Sequence, residues 1–256
     1  MTLLAGNPSP IPVALITGGA GGLGSAICAA FARAGYLIIV GYNKSSSEAE
    51  KVAAALGGRG TGKHHAESAP VTDSAALTQL AVTIRGRHAR LDVLVNCAGT
   101  TRFVAHDDLE GLDDELIDSV LQTNVRGAFA CVRAFAPLLT LSGNGLIVNI
   151  SSIAATTAMG SNVIYCASKA ALDNMTKSLA RALAPNIRVL SVAPGLVDTE
   201  FVKQLSQTWR DEQAKKTPLG RLASPTEVAE AVVACATCLT FSTGCVIPVD
   251  GGRPLA

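Results

Sequence analysis

The sequence predicts a doubly wound α/β fold, a parallel sheet of about seven strands with helices on both faces. Three observations carry that expectation. Short apolar runs at about 13–17, 37–41, 62–66, 91–96, 145–151, 187–192 and 245–249 alternate with stretches of helical periodicity. The first run, Val13-Ala-Leu-Ile-Thr17, passes at once into Gly18-Gly19-Ala20-Gly21-Gly22-Leu23-Gly24 and then into an amphipathic helix from Ser25 to Arg33. No Pro/Ser-rich linker interrupts the 256 residues, so they read as one domain, 1–256, with 1–12 as an N-terminal extension. Strands separated by helices run parallel, and right-handed crossovers then open a ligand crevice at the carboxyl ends of the strands.

Each strand ends in residues suited to such a crevice. After the first, glycines permit positive φ and remove Cβ atoms, so backbone N–H groups and the next helix N-terminus can approach a pyrophosphate. The second ends Leu37-Ile-Ile-Val-Gly-Tyr42-Asn43-Lys44-Ser45. A site for NAD presents a carboxylate at this place; Tyr42 stands there instead, and Asn43, Lys44 and Ser45 offer donors to a 2′-phosphate, which favours NADP and leaves NAD as the alternative. On the third, His64 and His65 face opposite sides, while His88 and His106 stand isolated, so no metal site is expected. The fourth closes on Asn96-Cys97-Ala98-Gly99. Asn124 then interrupts an apolar helix pattern, where a buried amide bonded to backbone is the simplest expectation. The same helix carries Arg126 and Arg133, either solvated or facing an acidic partner surface. The fifth, Ile147-Val-Asn-Ile-Ser-Ser152, delivers Ser152 to the crevice. After the sixth come Pro194-Gly195 and a segment, 196–216, that reads as a substrate lid containing Thr199, Phe201 and Trp209.

Tyr165-Cys-Ala-Ser-Lys169 sets a phenol and an ammonium on one helix face. A phenol ionises near ~10 in water, too high for proton exchange at neutral pH. A positive charge at roughly 5 Å, at an effective dielectric of about 20, contributes roughly 3 kcal/mol, or about two pKa units, before screening. Lys169 is thus expected to tune Tyr165. Hydride delivered to a carbonyl carbon leaves charge on oxygen, and the hydroxyls of Ser152 and Tyr165 are suited to meet it.

Together, Thr17-Gly18-x-x-x-Gly22-x-Gly24, Asn96-Cys-Ala-Gly99, Asn124, Ser152, Tyr165-x-x-x-Lys169 and Pro194-Gly195 resemble the short-chain dehydrogenase/reductase family, from about Val13 to Gly252. The closest flavour is the 3-oxoacyl-acyl-carrier-protein reductase type, similar also in the tail Gly244-Cys-Val-Ile-Pro-Val-Asp250-Gly-Gly. The resemblance implies a Rossmann-like fold and a catalytic set of Asn124, Ser152, Tyr165 and Lys169. Ser152 would polarise the substrate carbonyl and Tyr165 would protonate its oxygen. Lys169 would hold the nicotinamide ribose, and Asn124 would anchor a water linking Lys169 to solvent. The cofactor would rest on Thr17, Gly18, Gly22, Leu23, Gly24, Tyr42, Asn43, Lys44, Ser45, Asn96, Ala98, Gly99, Pro194, Gly195, Val197 and Thr199. The implied reaction is NADPH-dependent reduction of a ketone, foremost a 3-oxoacyl thioester borne by an acyl carrier protein, in a homotetramer. The alternatives are an NAD-dependent dehydrogenase of a sugar, polyol or cyclic alcohol, and a cofactor-binding sensor without catalysis. One departure stands out: Pro70, in Ala69-Pro70-Val71-Thr72-Asp73, occupies the place of an acid that holds adenine, leaving adenine to backbone or apolar packing.

Composition fits an enzyme with extensive buried surface. Charged residues are 16%, below the average of about 25%, while apolar residues reach 48%. Helix faces covered between subunits would account for this. A net charge of +1 gives no basic footprint for nucleic acid. The 7 cysteines, scattered through apolar patterns, read as reduced core residues, including the Cys235-x-x-Cys238 pair. No apolar run is long enough to span a membrane and no signal peptide is evident, so a cytoplasmic protein is expected.

Overall fold

A computed structural model of the chain describes residues 11–57, 63–204 and 206–255. The extension before residue 11 and the expected start of the third strand at 62 lie outside them, as does the Phe201 side chain.

A single sheet of 7 parallel strands forms the centre, in the order β3-β2-β1-β4-β5-β6-β7. Its strands are β1 (Val13–Thr17), β2 (Leu37–Tyr42), β3 (His65–Ser68), β4 (Val93–Asn96), β5 (Gly145–Ile150), β6 (Ile187–Pro194) and β7 (Val246–Val249). The first half is crossed by α1 (Gly22–Arg33), α2 (Ser46–Ala55) and α3 (Ser74–His88). Next come α4 (Asp114–Leu121), a π-helical turn (Gln122–Gly127) and α5 (Ala128–Leu141). Then follow α6 (Ala154–Thr157), α7 (Val163–Leu183), α8 (Glu200–Lys203), α9 (Gln207–Lys215) and α10 (Pro225–Thr237). The Rossmann-like expectation holds. Strand order reverses between β1 and β4, the place where such sheets open a crevice.

Both sheet faces are apolar, which is why the strands read as continuous hydrophobic runs rather than alternating ones. Leu15, Ile39, Leu94, Ile147 and Val189 pack on one face with Leu77, Leu80 and Phe135 of the helices. Ile16, Ile38, Val40, Val95, Val148 and Val192 pack on the other with Ile27, Phe31 and Val232. Each such side chain stabilises by about 1.5–3 kcal/mol when fully buried.

The register aligns the strand ends that matter. Thr17 lies beside Asn96, and Asn96 beside Asn149, so the residues after β1, β4 and β5 emerge on one edge. Several strand boundaries differ by one to three residues from expectation, β4 for example starting at Val93 rather than 91. β3 runs over His65–Ser68 because it matches the carboxyl end of β2, with Ser68 beside Tyr42. β6 continues to Pro194, beside Val249.

One expectation is corrected. His88 is not isolated: its Nε2 lies 2.9 Å from His65 Nε2, joining the end of α3 to β3. Arg87 donates to Glu67 at 2.6 Å next to this pair. Burial, then the charge of Arg87, holds both imidazoles below their usual range. His64 Nδ1 accepts the Ile38 N–H at 3.0 Å and His106 pairs with the Gly160 carbonyl at 3.2 Å. Among the described residues, no three His, Cys, Asp or Glu side chains gather as a metal ion needs.

Candidate active site

The crevice begins at the glycine turn. Gly18 has φ +65°, and a Cβ there would meet the Ala98 backbone at 3.0 Å. A Cβ on Gly24 would collide with the Gly18 carbonyl, so only glycine lets the turn close on itself. Gly21 caps α1 without a side-chain bond, and the first turn holds no acid. The N–H groups of Gly22, Leu23 and Gly24 therefore form an uncapped helix terminus, a seat for an anion. Thr199 lies across it, its Cβ 3.6 Å from where a Gly22 Cβ would be.

Two residues expected on the cofactor turn inward instead. Thr17 is 1% exposed, and its hydroxyl donates to the Val95 carbonyl at 3.2 Å while accepting the Cys97 and Ala98 N–H groups at 3.1 Å. Asn96 is 4% exposed, with Nδ2 donating to Asn149 Oδ1 at 2.9 Å. Their side chains tie β1, β4 and β5 together beneath the crevice and leave Ala98 and Gly99 above. The chain continues inward from Asn149 to Thr176 at 2.8 Å and on to Ser191 at 2.9 Å.

At the end of β2, Tyr42 is half-buried against the apolar core, while Asn43, Lys44 and Ser45 are exposed. Ser45 precedes α2 without capping it, so its hydroxyl is free of that duty. Ala69 and Val71 are buried beside Pro70, presenting an apolar wall where the sequence lacks an acid.

The hydroxyl, phenol and amine expected in the crevice converge. Ser152 follows β5 and accepts the Ala154 N–H at 3.1 Å. Tyr165 lies in the first turns of α7, its phenol close enough to Ser152 for that hydroxyl to favour the phenolate. Burial raises the phenol above its ordinary value, the Ser152 hydroxyl opposing it. Lys169 is 7% exposed, sits 5.6 Å from the centre of the Tyr165 ring and donates to the Ile150 carbonyl at 2.7 Å. Burial pulls its ammonium down to about 8, against the opposing charges of Cys97 and Asp173. The expected lowering of the Tyr165 pKa by Lys169 is not what the site shows: burial is the largest influence on the phenol and raises it. The phenol is neutral at pH 7.

Asn124 sits in the π-helical turn, a feature frequent at functional sites. It is 2% exposed and bonded to backbone, accepting the Thr100 N–H at 2.8 Å and donating to the Thr100 carbonyl at 3.1 Å. Its amide also donates to Ser168 Oγ at 3.1 Å. With its side chain so committed, any water joined to Asn124 falls to a backbone group. Sequence reasoning missed Ser168 and Asn162. Ser168 donates to the Tyr165 carbonyl at 2.8 Å, and Asn162 caps α7 by accepting the Tyr165 N–H at 2.7 Å. Asparagine three residues before Tyr165, at the start of a helical pattern, was the available signal.

Beyond the buried Pro194, the Gly195 N–H donates to the Val249 carbonyl at 3.0 Å, and Val197 bridges to Ala223. The following segment carries α8 and α9 and is tied at both ends. Arg210 donates to Asp198 at 2.6 Å, and Arg253 grips the Gln213 carbonyl and side chain at 2.7 Å. Trp209 is half-buried, and α9 buries no residue fully. Arg126 and Arg133 are exposed but already occupied, donating to Thr72 O at 2.9 Å and Ser74 Oγ at 3.0 Å.

A parallel sheet with an anion seat beyond β1 and a Ser, Tyr and Lys cluster beyond β5 defines a dinucleotide-dependent oxidoreductase. The chain belongs to the short-chain dehydrogenase family, whose model matches residues 12–210. It is 36% identical over 254 residues to ketoacyl reductase 2 of the granaticin polyketide synthase of Streptomyces violaceoruber, covering 98% of this chain and 100% of that protein. It is 35% identical to the 3-oxoacyl-[acyl-carrier-protein] reductase FabG of Thermotoga maritima, over 94% of this chain and 96% of that one. It is also 35% identical to the D-threitol dehydrogenase of Mycolicibacterium smegmatis, covering 94% and 92%. A solved short-chain dehydrogenase/reductase from Burkholderia xenovorans superposes with a TM-score of 0.89 at 35% identity, covering 97% of this chain and 100% of that one. Membership makes the protein an enzyme that works with a nicotinamide cofactor.

Proposed function

We propose that this enzyme reduces a ketone to a secondary alcohol with NADPH, foremost a 3-oxoacyl thioester carried by an acyl carrier protein. The observation that carries this reading is the buried Tyr165 phenol beside Ser152, backed by Lys169 and reached from an uncapped glycine-rich helix terminus. The likeness to two ketoacyl reductases supports the substrate class.

The glycine turn fits a dinucleotide, because the cradle exists only while Gly18 and Gly24 lack side chains. Gly18, Gly22, Leu23 and Gly24 would hold the pyrophosphate, with Ala98, Gly99, Pro194, Gly195, Val197 and Thr199 along the nicotinamide half. The exposed Asn43, Lys44 and Ser45, beside Tyr42, would receive a 2′-phosphate. Bound there, the cofactor supplies the hydride. Ser152 donates to the carbonyl oxygen and orients it, and Tyr165 gives its proton to that oxygen as charge develops. Lys169 holds the ribose hydroxyls and stabilises the phenolate left behind. Asn124 fixes the wall that faces Lys169. The segment 196–216 is the lid over the substrate.

We further infer a homotetramer in the cytoplasm. Exposed Phe103, Leu121, Phe129, Phe241 and Leu255 are apolar surface suited to further copies, and the cysteines are free thiols. No helix among the described residues is long and apolar enough to cross a membrane.

The test is to follow oxidation of NADPH and NADH over acetoacetyl thioesters, quinones, sugar ketones and cyclic ketones. Turnover of the thioester with NADPH preferred supports the proposal. Preferred reduction of a sugar ketone with NADH, the reverse of the polyol oxidation that the likeness to D-threitol dehydrogenase would favour, replaces it. Tight cofactor binding with no turnover of any substrate would point to a sensor.

A further inference from the structure

Asn162 lies between the two loops that enclose the proposed reaction centre, and neither hydride nor proton transfer requires it. It is 1% exposed, and its Oδ1 accepts the Tyr165 N–H at 2.7 Å. The other end of the amide crosses to the segment after β4, donating to Arg102 O at 2.8 Å and to Thr101 Oγ1 at 3.1 Å. Neighbouring bonds close the same seam. The Val104 N–H donates to Ser161 O at 2.8 Å, and the Thr101 and Ser161 hydroxyls meet at 2.6 Å.

The carbonyl of Tyr165 is held as firmly as its N–H. Ser168 donates to it at 2.8 Å and is itself held by Asn124, which grips Thr100. The backbone of Tyr165 is thus fixed through two buried amides whose far ends hold Thr100, Thr101 and Arg102. A buried amide with matched partners resists displacement, because any shift leaves polar groups unpaired in a low-dielectric interior. A reacting group misplaced by about 1 Å can lose about a hundredfold in rate.

We propose that Asn162 is a positioning residue for Tyr165: it docks the first turn of α7 onto the Thr101–Arg102 wall, so that the phenol and the loop beside it move as one body. This role rests on Tyr165 being the proton donor. Asn162→Ala should lower kcat about tenfold or more while the Kd for NADPH stays within about twofold, since the glycine-turn seat proposed for the pyrophosphate lies on β1 and α1, away from Asn162. The solvent deuterium isotope effect on kcat should rise, because proton donation becomes slower; a merely structural role would leave it unchanged. A kcat within about twofold of the parent, or equal losses of kcat and cofactor affinity with an unchanged isotope effect, would overturn the role. If that variant does not fold, Asn162→Ser carries the same test. It keeps an acceptor for the Tyr165 N–H and discards the donor to Arg102, so parental kcat and isotope effect would overturn the tether. An inactive parent enzyme would instead overturn Tyr165 as proton donor.

Discussion

Replacing Lys169 with methionine should stabilise the cofactor-free protein while abolishing most of its activity. The ammonium is 7% exposed, and burial pulls its pKa from 10.5 to about 8. At ~1.4 kcal/mol per pKa unit, keeping it charged at pH 7 costs the fold about 3 kcal/mol. Methionine fills a similar volume without that cost but leaves the Ile150 carbonyl, now bonded at 2.7 Å, without its donor. That loss is about 1–3 kcal/mol, so a net gain of up to about 2 kcal/mol is expected. The pH dependence gives the sharper signature. Below about 8 the lysine is charged in both folded and unfolded states, and the penalty is full. Between about 8 and 10.5 the folded protein has shed the proton that the unfolded chain still binds. Parental stability then rises with pH relative to the variant, and the advantage of methionine shrinks. Guanidinium unfolding at fixed protein concentration, followed by circular dichroism at several pH values, measures both the gain and its decline. A variant less stable than the parent at pH 7, or a gain that ignores pH, would refute the buried-charge reasoning.

Three further outcomes follow from the same geometry. Lys44→Ala should reduce the preference for NADPH over NADH about tenfold or more, the loss of one charge-assisted bond to phosphate, with NADH affinity little changed by isothermal titration. Gly18→Ala, at φ +65° and with its Cβ 3.0 Å from the Ala98 backbone, should weaken binding of both nucleotides at least tenfold in a fluorescence titration. Ala158 has φ 54° after α6, so Ala158→Gly should leave thermal stability unchanged or raised by up to about 1 kcal/mol, where the same change at a loop alanine of negative φ would cost stability.

Much of this was legible in the chain, for reasons that particular residues make plain. Strands buried on both faces announce themselves as Val/Ile/Leu runs, and a glycine turn between strand and helix has few physical uses. Tyr165 and Lys169 could be placed on one face because helical spacing alone fixes it. Side-chain direction at strand ends was not legible: Thr17 and Asn96 are the residue types that meet a ligand, yet the pleat turns both into the interior. The pairing of His65 with His88 joins positions 23 apart, and no local pattern reports such contacts. The π-helical turn around Asn124 has no sequence signature, since it arises from packing. The sign of the shift at Tyr165 also escaped, because Coulomb reasoning from spacing omits desolvation, which here is larger.

The most direct measurement of the proposed chemistry compares the parent with Tyr165→Phe, which removes one oxygen and nothing else. With NADPH and an acetoacetyl thioester, kcat should fall about a hundredfold or more while the Kd for NADPH stays within about twofold. Turnover by the phenylalanine variant close to that of the parent would contradict the assignment of Tyr165 as the proton donor.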